Sequence, residues 1–307
     1  MAASDARDPR RALSRHEALG VRGAAMTEGL KLIVIADDFG ISEAVNRGIV
    51  DAHDRGIVTS TSIMATGAAF EHAVALARER PGLAVGVHLV LTEHRPLIGA
   101  SAAATLVGTD GAFEPHLKQL LAKRFKGLVS LSEVRRELDA QIRSVQRAGV
   151  AISHLDGHQH VHVLPGVAGI VAELAVAHGI AAVRYPAERV RGYMLRNLRN
   201  ARRVAEQAAL SFFCASSPLK DLRRSDDFVG FYFGGRLDEA NLEKVLAGLP
   251  PAGTVELMCH PGHEDTRPAG DWHYAWAAER DALTSPRIRE LVVARGMQLV
   301  SQRGIRA

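Results

Sequence analysis

The 307-residue sequence predicts an α/β fold: an irregular (β/α) barrel, TIM-barrel-like, in a single domain. Three observations predict it. Short Val- and Ile-rich runs alternate with helix-period segments from residue 31 towards the C-terminus, which argues for parallel strands joined by helical crossovers. No repeat, low-complexity stretch or composition break divides that alternation into two units. The first strand run leads into ADDFG rather than GxGxxG or a GxxxxGKS/T loop, so neither the dinucleotide fingerprint nor the phosphate loop is present. With roughly seven βα units, a barrel fits better than an open doubly wound sheet.

The elements follow in order. KLIVIA at 31–36 is a buried strand, and Ser42 can cap the helix EAVNRGIVDAHDRG after it. STSIMA at 60–65 is the second strand, AAFEHAVALARERP the second helix, and AVGVHLVL at 84–91 the third strand. A long connection containing Gly and Pro runs from there to about residue 130. LSEVRRELDAQIRSVQRAG is a strong helix stopped by Gly149. VAISHLDG is the fourth strand, GVAGIVAELAVAHG a helix and AAVRYP at 181–186 the fifth strand. After a less regular region at 190–235 come the helix DEANLEKVLAGLP, the strand GTVELMCHPG, the helix SPRIRELVVARG and the closing strand MQLVSQ.

Composition bounds the class. Apolar residues at 47 % against 23 % charged give the balance of a soluble globular chain, and no apolar run is long enough to span a bilayer. Residues 1–28 carry Arg7, Arg10, Arg11, Arg15 and Arg22 without the apolar core of a secretory signal. They read as a disordered or mis-started extension ending near Met26, with the domain proper at 29–307. Two cysteines, Cys214 and Cys259, make no disulfide framework, so the expected compartment is the cytoplasm. The stretch ERVRGYMLRNLRNARRVAE sets Met194, Leu198, Ala201 and Ala205 at helical spacing beneath six arginines. It reads either as a surface helix touching anionic lipid or as a helix with a solvated outer face. Basic residues interleaved with aromatics are missing, so nucleic acid is not an expected partner.

The polar residues then fall into place. Asp37 and Asp38 end the first strand, His88 lies towards the end of the third, His154, Asp156 and His158 end the fourth, and His260 closes VELMCHPG. The C-terminal ends of parallel strands are where α/β folds build active sites. Imidazole and carboxylate donors suit a mononuclear metal hydrolase, with three protein ligands and one open position. Side chains alternate along a strand, so one of the paired aspartates can ligate while the other serves as general base.

These residues carry a resemblance. IVIADDFGISEAVNRGI, TSTSIMATG, VGVHLVLTE, SHLDGHQHVH, VRYP and ELMCHPG resemble, in order over about 31–262, the motifs of the YdjC-like carbohydrate deacetylases. The resemblance implies an irregular (β/α) barrel that removes the acetyl group of an N-acetylated amino sugar with one divalent metal ion, Mg2+ or Zn2+. It also implies Asp38, His88 and His158 as metal ligands, Asp37 as catalytic base and His260 as general acid. GVHLVLTEHRPL and HYAWAAERDALTSPRIREL are similar to the hopanoid-biosynthesis-associated (HpnK-like) branch, which implies an N-acetylglucosaminyl hopanoid as substrate. The alternatives are a chitooligosaccharide or other N-acetyl-sugar deacetylase, or a non-catalytic sugar-binding relative. The implied setting is cytoplasmic and peripheral to the inner membrane, with transient membrane contact, a glycolipid or amino-sugar substrate, and a homodimer.

Supporting roles follow. Asp156 would orient a ligand histidine, and Arg184 in VRYP would pair with Asp37. Trp272 to Trp276 would either stack on sugar or form the apolar side of a helix start. Residues two apart on a strand are about 6.6 Å apart, so His158, His160 and His162 cannot all reach one ion if the strand continues through them. The strand is therefore expected to end near Gly157. His158 is then the ligand, His154 a supporting residue, and His160 and His162 belong to a loop beside the substrate.

Overall fold

The computed structural model describes residues 29–195, 200–263 and 274–305. The extension at 1–28, Leu198 and Trp272 lie outside the described residues.

β1 (Leu30–Phe39) is the spine: every residue but Lys31 is buried, as a strand covered on both faces requires. Its neighbours are β2 (Ser60–Ile63) and β7 (Gly253–Cys259), all parallel to it. β3 (Ala84–Leu89), β4 (Ile152–Gly157) and β5 (Ala182–Val183) extend the sheet beyond β2, and β6 (Asp227–Val229) extends it beyond β7. The order β5-β4-β3-β2-β1-β7-β6 is that of a sequential barrel opened between β5 and β6. Among the described residues a single parallel bridge, from Ala182 to Arg223, touches across the gap.

The expected barrel is thus present as a curled seven-strand arc. The strands at its edges are too short to close it, two residues in β5 and three in β6. The closing strand MQLVSQ does not fill the gap. Only β8 (Gln298–Leu299) forms, and it pairs with Lys31 and Leu32 of β1.

Helices cover the arc. Ser42 caps α1 (Glu43–Asp54) as expected, its hydroxyl accepting from the Val45 amide. At Gly48 of α1 a Cβ would lie 2.3 Å from Gly262 Cα, so only glycine allows this helix to meet the chain leaving β7. α2 (Phe70–Arg78) and α4 (Leu131–Arg147) follow β2 and β3. α4 carries a buried Glu137 and Gln141. Glu137 accepts from the Leu97 and Ile98 amides, and Gln141 bonds both N–H and C=O of Val90, pinning the long connection onto the sheet. That connection contains a helix with no counterpart in the sequence reading, α3 (Leu117–Phe125). Leu117, Leu120, Leu121 and Phe125 recur there at helical spacing, a periodic signal that the reading of one long connection passed over.

α5 (Val167–Ala177) links β4 to β5, and α6 (Gly192–Leu195) and α7 (Ala201–Ala215) lie in the irregular region. α7 buries Gln207, Leu210 and Cys214. Of the expected apolar stripe, Met194 of α6 is buried, while Ala201 and Ala205 of α7 face solvent. Which face is covered is set by the cavity and sheet beneath α7, and spacing alone does not report that. α8 (Glu239–Ala247), α9 (Trp276–Thr284) and α10 (Pro286–Ala294) complete the shell. Trp276 is buried at the start of α9 against Gly262, the helix-start alternative. No helix among the described residues is long and apolar enough to cross a membrane.

Candidate metal and catalytic site

The polar residues meet at the C-terminal ends of β1, β3, β4, β5 and β7, on the floor of a cavity of about 720 Å3. β1 runs through Asp37 and Asp38 rather than stopping before them, and Asp38 takes φ +67° where the pairing with β2 is irregular. A left-handed residue breaks strand alternation. Both carboxylates therefore reach the same side, where simple alternation would have split them.

Asp38 lies between two imidazoles, with Oδ1 2.9 Å from His158 Nδ1 and 3.4 Å from His88 Nε2. Donors of a tetrahedral centre with ligand bonds near 2.1 Å stand roughly 3.4 Å apart. These three buried groups therefore fit one small divalent ion. A second grouping, Asp37, His88 and Asp156, also lies within reach. Its carboxylates are already spent. Asp37 takes two N–H bonds from Arg184, at 2.6 and 2.7 Å. Asp156 meets His88 Nδ1 at 2.8 Å, Ser62 Oγ at 2.6 Å and Arg184 Nη2 at 3.0 Å. Asp38, His88 and His158 are therefore the set left able to hold an ion.

β4 ends at Gly157, and residues 158–163 turn in a 3-10 segment with Gln159 and His160 left-handed. That turn sorts the histidines. His158 reaches Asp38, and His160 lines the cavity against Phe228 and Phe231. His162 sits below the floor with Nε2 3.1 Å from the Arg184 carbonyl. His154 is wholly buried beside Ser62 and Ser153, its ring occupying the space that a Cβ at Gly86 would enter at 2.4 Å. His260 lines the cavity, its ring 4.7 Å from that of Tyr274; its buried Nδ1 lies 3.9 Å from Glu279 Oε2 and has no hydrogen-bond partner among the described residues.

Sequence reasoning passed over three carboxylates. Glu256 takes the Arg184 Nε at 2.5 Å, and its signal was a charge inside the apolar strand VELMC. Glu279 of α9 accepts from the His260 and Leu237 amides, fixing the end of β7. Glu93, after β3, stands 3.1 Å from His158 Nε2. Glu93 ends the stretch VGVHLVLTE, an acid just past a strand run, whereas Glu279 had no local signal.

Burial alone would raise the Asp38 carboxyl, but the facing charge and hydrogen bonds of His158 and His88 hold it well below its usual range. Burial likewise opposes charge on His88 and His158, yet the neighbouring acids push them up to about 10 and about 9. His162, deeper and beside Arg184, drops to about 3.

A pH dependence follows for the metal-free chain. The two raised histidines contribute stability that is complete below their unfolded value of 6.5 and is lost as pH rises through about 9 and about 10. With chelator present, the melting temperature is expected to fall over that window, and less steeply in His88→Asn. Equal slopes in the two proteins would exclude these pairs. With metal present, His88→Ala removes one donor, and bound ion is expected to fall from about one per chain to near none by elemental analysis.

The model of the family described as YdjC-like protein matches residues 31–294. The chain is 37 % identical over 294 residues to a carbohydrate deacetylase of Mus musculus, covering 88 % of this chain and 93 % of that one. It is 35 % identical over 275 residues to a chitooligosaccharide deacetylase of Enterobacter sp. (strain 638), covering 88 % and 97 %. Among solved structures, a candidate cellobiose-phosphate cleavage protein from Enterococcus faecalis V583 matches with TM-score 0.73 and 28 % identity, covering 91 % of this chain and all of that one.

Proposed function

The chain belongs to the YdjC-like protein family, and on that premise we propose that it is a metal-dependent carbohydrate deacetylase acting on an N-acetylated amino sugar. One observation carries the reading: a three-donor set, Asp38, His88 and His158, opens on the same cavity as an arginine-clamped carboxylate, Asp37. The three donors would hold zinc or magnesium. When bound, such an ion acidifies water and polarises the acetamide carbonyl.

The chain's own groups do the rest. Asp37, held in one orientation by Arg184, accepts the proton of the attacking water. Asp156 and the Arg184–Glu256 pair keep that clamp and His88 in register. His260, which lines the cavity with its Nδ1 3.9 Å from the Glu279 carboxylate, protonates the departing nitrogen, because an amine leaves badly as an anion. The C–N bond breaks as the C–O bond forms, giving acetate and a free amino sugar.

The finer reading is a glycolipid, an N-acetylglucosaminyl hopanoid, met at the inner membrane's cytoplasmic face. What supports it is the cavity wall. Leu117 and Leu121 of α3 face Leu210 and Phe213 of α7 across it, an apolar surface that a bare sugar leaves unused. The apolar line runs on to Phe125, 69 % exposed, and α7 carries Phe212, 68 % exposed. The cations Lys118 and Arg202 stand at the mouth, a combination that suits transient contact with an anionic bilayer.

Acetate release from N-acetylglucosaminyl lipid and from chito-disaccharide, with metal content measured in parallel, tests both levels. Release from the lipid is expected to dominate. Release from the disaccharide alone removes the lipid reading and keeps the deacetylase. Binding of both without release, in metal-loaded protein, removes the enzyme.

A further inference from the structure

We propose that Glu93 is a positioning residue of the metal centre, its carboxylate holding the outer nitrogen of His158 so that the inner one faces Asp38. The proposal rests on the metal reading above. Glu93 Oε2 is 3.1 Å from His158 Nε2, and His158 Nδ1 is 2.9 Å from Asp38 Oδ1. The same construction stands beside it: Asp156 Oδ1 is 2.8 Å from His88 Nδ1, and His88 Nε2 is 3.4 Å from Asp38 Oδ1. Each candidate ligand histidine thus has a carboxylate on the nitrogen turned away from Asp38. A carboxylate there selects the tautomer whose other nitrogen keeps its lone pair, stops ring rotation and makes that lone pair more basic.

The backbone points the same way. Glu93 is held at φ +67°, a region that residues with a Cβ seldom enter. Such a conformation persists only where the surroundings over-determine it, and it clusters at functional sites. Here the surroundings are visible. The Glu93 amide donates to the Glu114 carbonyl, His94 to Thr92 and Phe113 to His94. The Glu114 carboxylate in turn pairs with Lys123 of α3. These bonds aim a side chain only 11 % exposed across the cavity wall at His158. Glycine at this position would relax the backbone and leave the imidazole without its carboxylate.

That contrast supplies the test. Zn2+ and Co2+ affinities are measured by titration calorimetry on the full chain, with the visible spectrum of the Co2+ form, for wild type, Glu93→Gln and Glu93→Gly. Both variants are expected to bind metal about 10- to 100-fold more weakly, with a changed Co2+ spectrum. Metal-free Glu93→Gly gains by losing the left-handed strain and loses the His158 contact, so it is expected to melt close to wild type. A purely structural role would instead lower affinity only as far as metal-free stability falls, and that pattern overturns the proposal. Unchanged affinity and spectrum with a raised KM for acetylated sugar overturns it too, and makes Glu93 a substrate contact. Wild type that takes up neither ion overturns the metal reading and this proposal with it.

Discussion

Asp37→Asn is expected to keep its metal and lose turnover by roughly 10²- to 10⁴-fold, the usual worth of a positioned general base. The amide is nearly the same shape, so the floor of the cavity does not collapse. It cannot accept the water's proton, and its NH2 group opposes one N–H of Arg184 where Oδ1 and Oδ2 both accepted before. Metal should stay, because the proposed donors are Asp38, His88 and His158. The same variant tests that choice of donors. If elemental analysis shows the ion lost with Asp37→Asn, the centre sits on the second grouping, with His88 and Asp156. If turnover is normal with metal retained, Asp37 is not the base.

Arg184→Met carries the largest expected loss of stability, on the order of 3–5 kcal/mol, as for a buried pair broken from one side. The guanidinium is fully buried and touches Asp37, Asp156 and Glu256 at 2.6, 3.0 and 2.5 Å. Without it, three carboxylates share a closed site in which the His88 imidazole, 2.8 Å from Asp156, offsets only part of their repulsion. Met fills much of the volume, so the loss is electrostatic rather than a cavity. The melting temperature should fall by roughly 10 °C in a chain of this size. Adding Glu256→Gln should recover part of that loss, because one uncompensated charge goes and the amide still bonds Gln302. A double variant no more stable than Arg184→Met would show that packing, not charge, held the site.

Much of this site is legible in the sequence, and the reason is local. A strand run followed at once by an acid or imidazole announces a residue at a sheet's C-terminal edge. Asp37, Asp38, His88, His158 and His260 all gather there. The stop of β4 at Gly157 was legible too, from the spacing of the histidines after it. α3 was passed over although Leu117, Leu120, Leu121 and Phe125 keep the helical period; what the sequence could not show is its seat, with the Leu117 amide on the Gln159 side chain. Nor was the covered face of α7, which depends on what lies under it.

By itself the sequence determined the alternation of strands and helices, the strand ends at which the reactive groups stand, and the family to which the chain belongs. These follow from periodicities of two and 3.6 residues and from short ordered motifs, and both are properties of neighbours in the chain. Only the tertiary structure decided that the sheet is an open arc, since closure depends on edge strands of two and three residues. It decided that Asp38 turns left-handed to bring two adjacent carboxylates to one side. It also decided that Arg184 joins Asp37, Asp156 and Glu256, and that Glu93 reaches His158. Those partners come from different strands and loops. Their meeting is fixed by sheet order, twist and the packing of connections, none of which is written in the spacing of residues along any one segment.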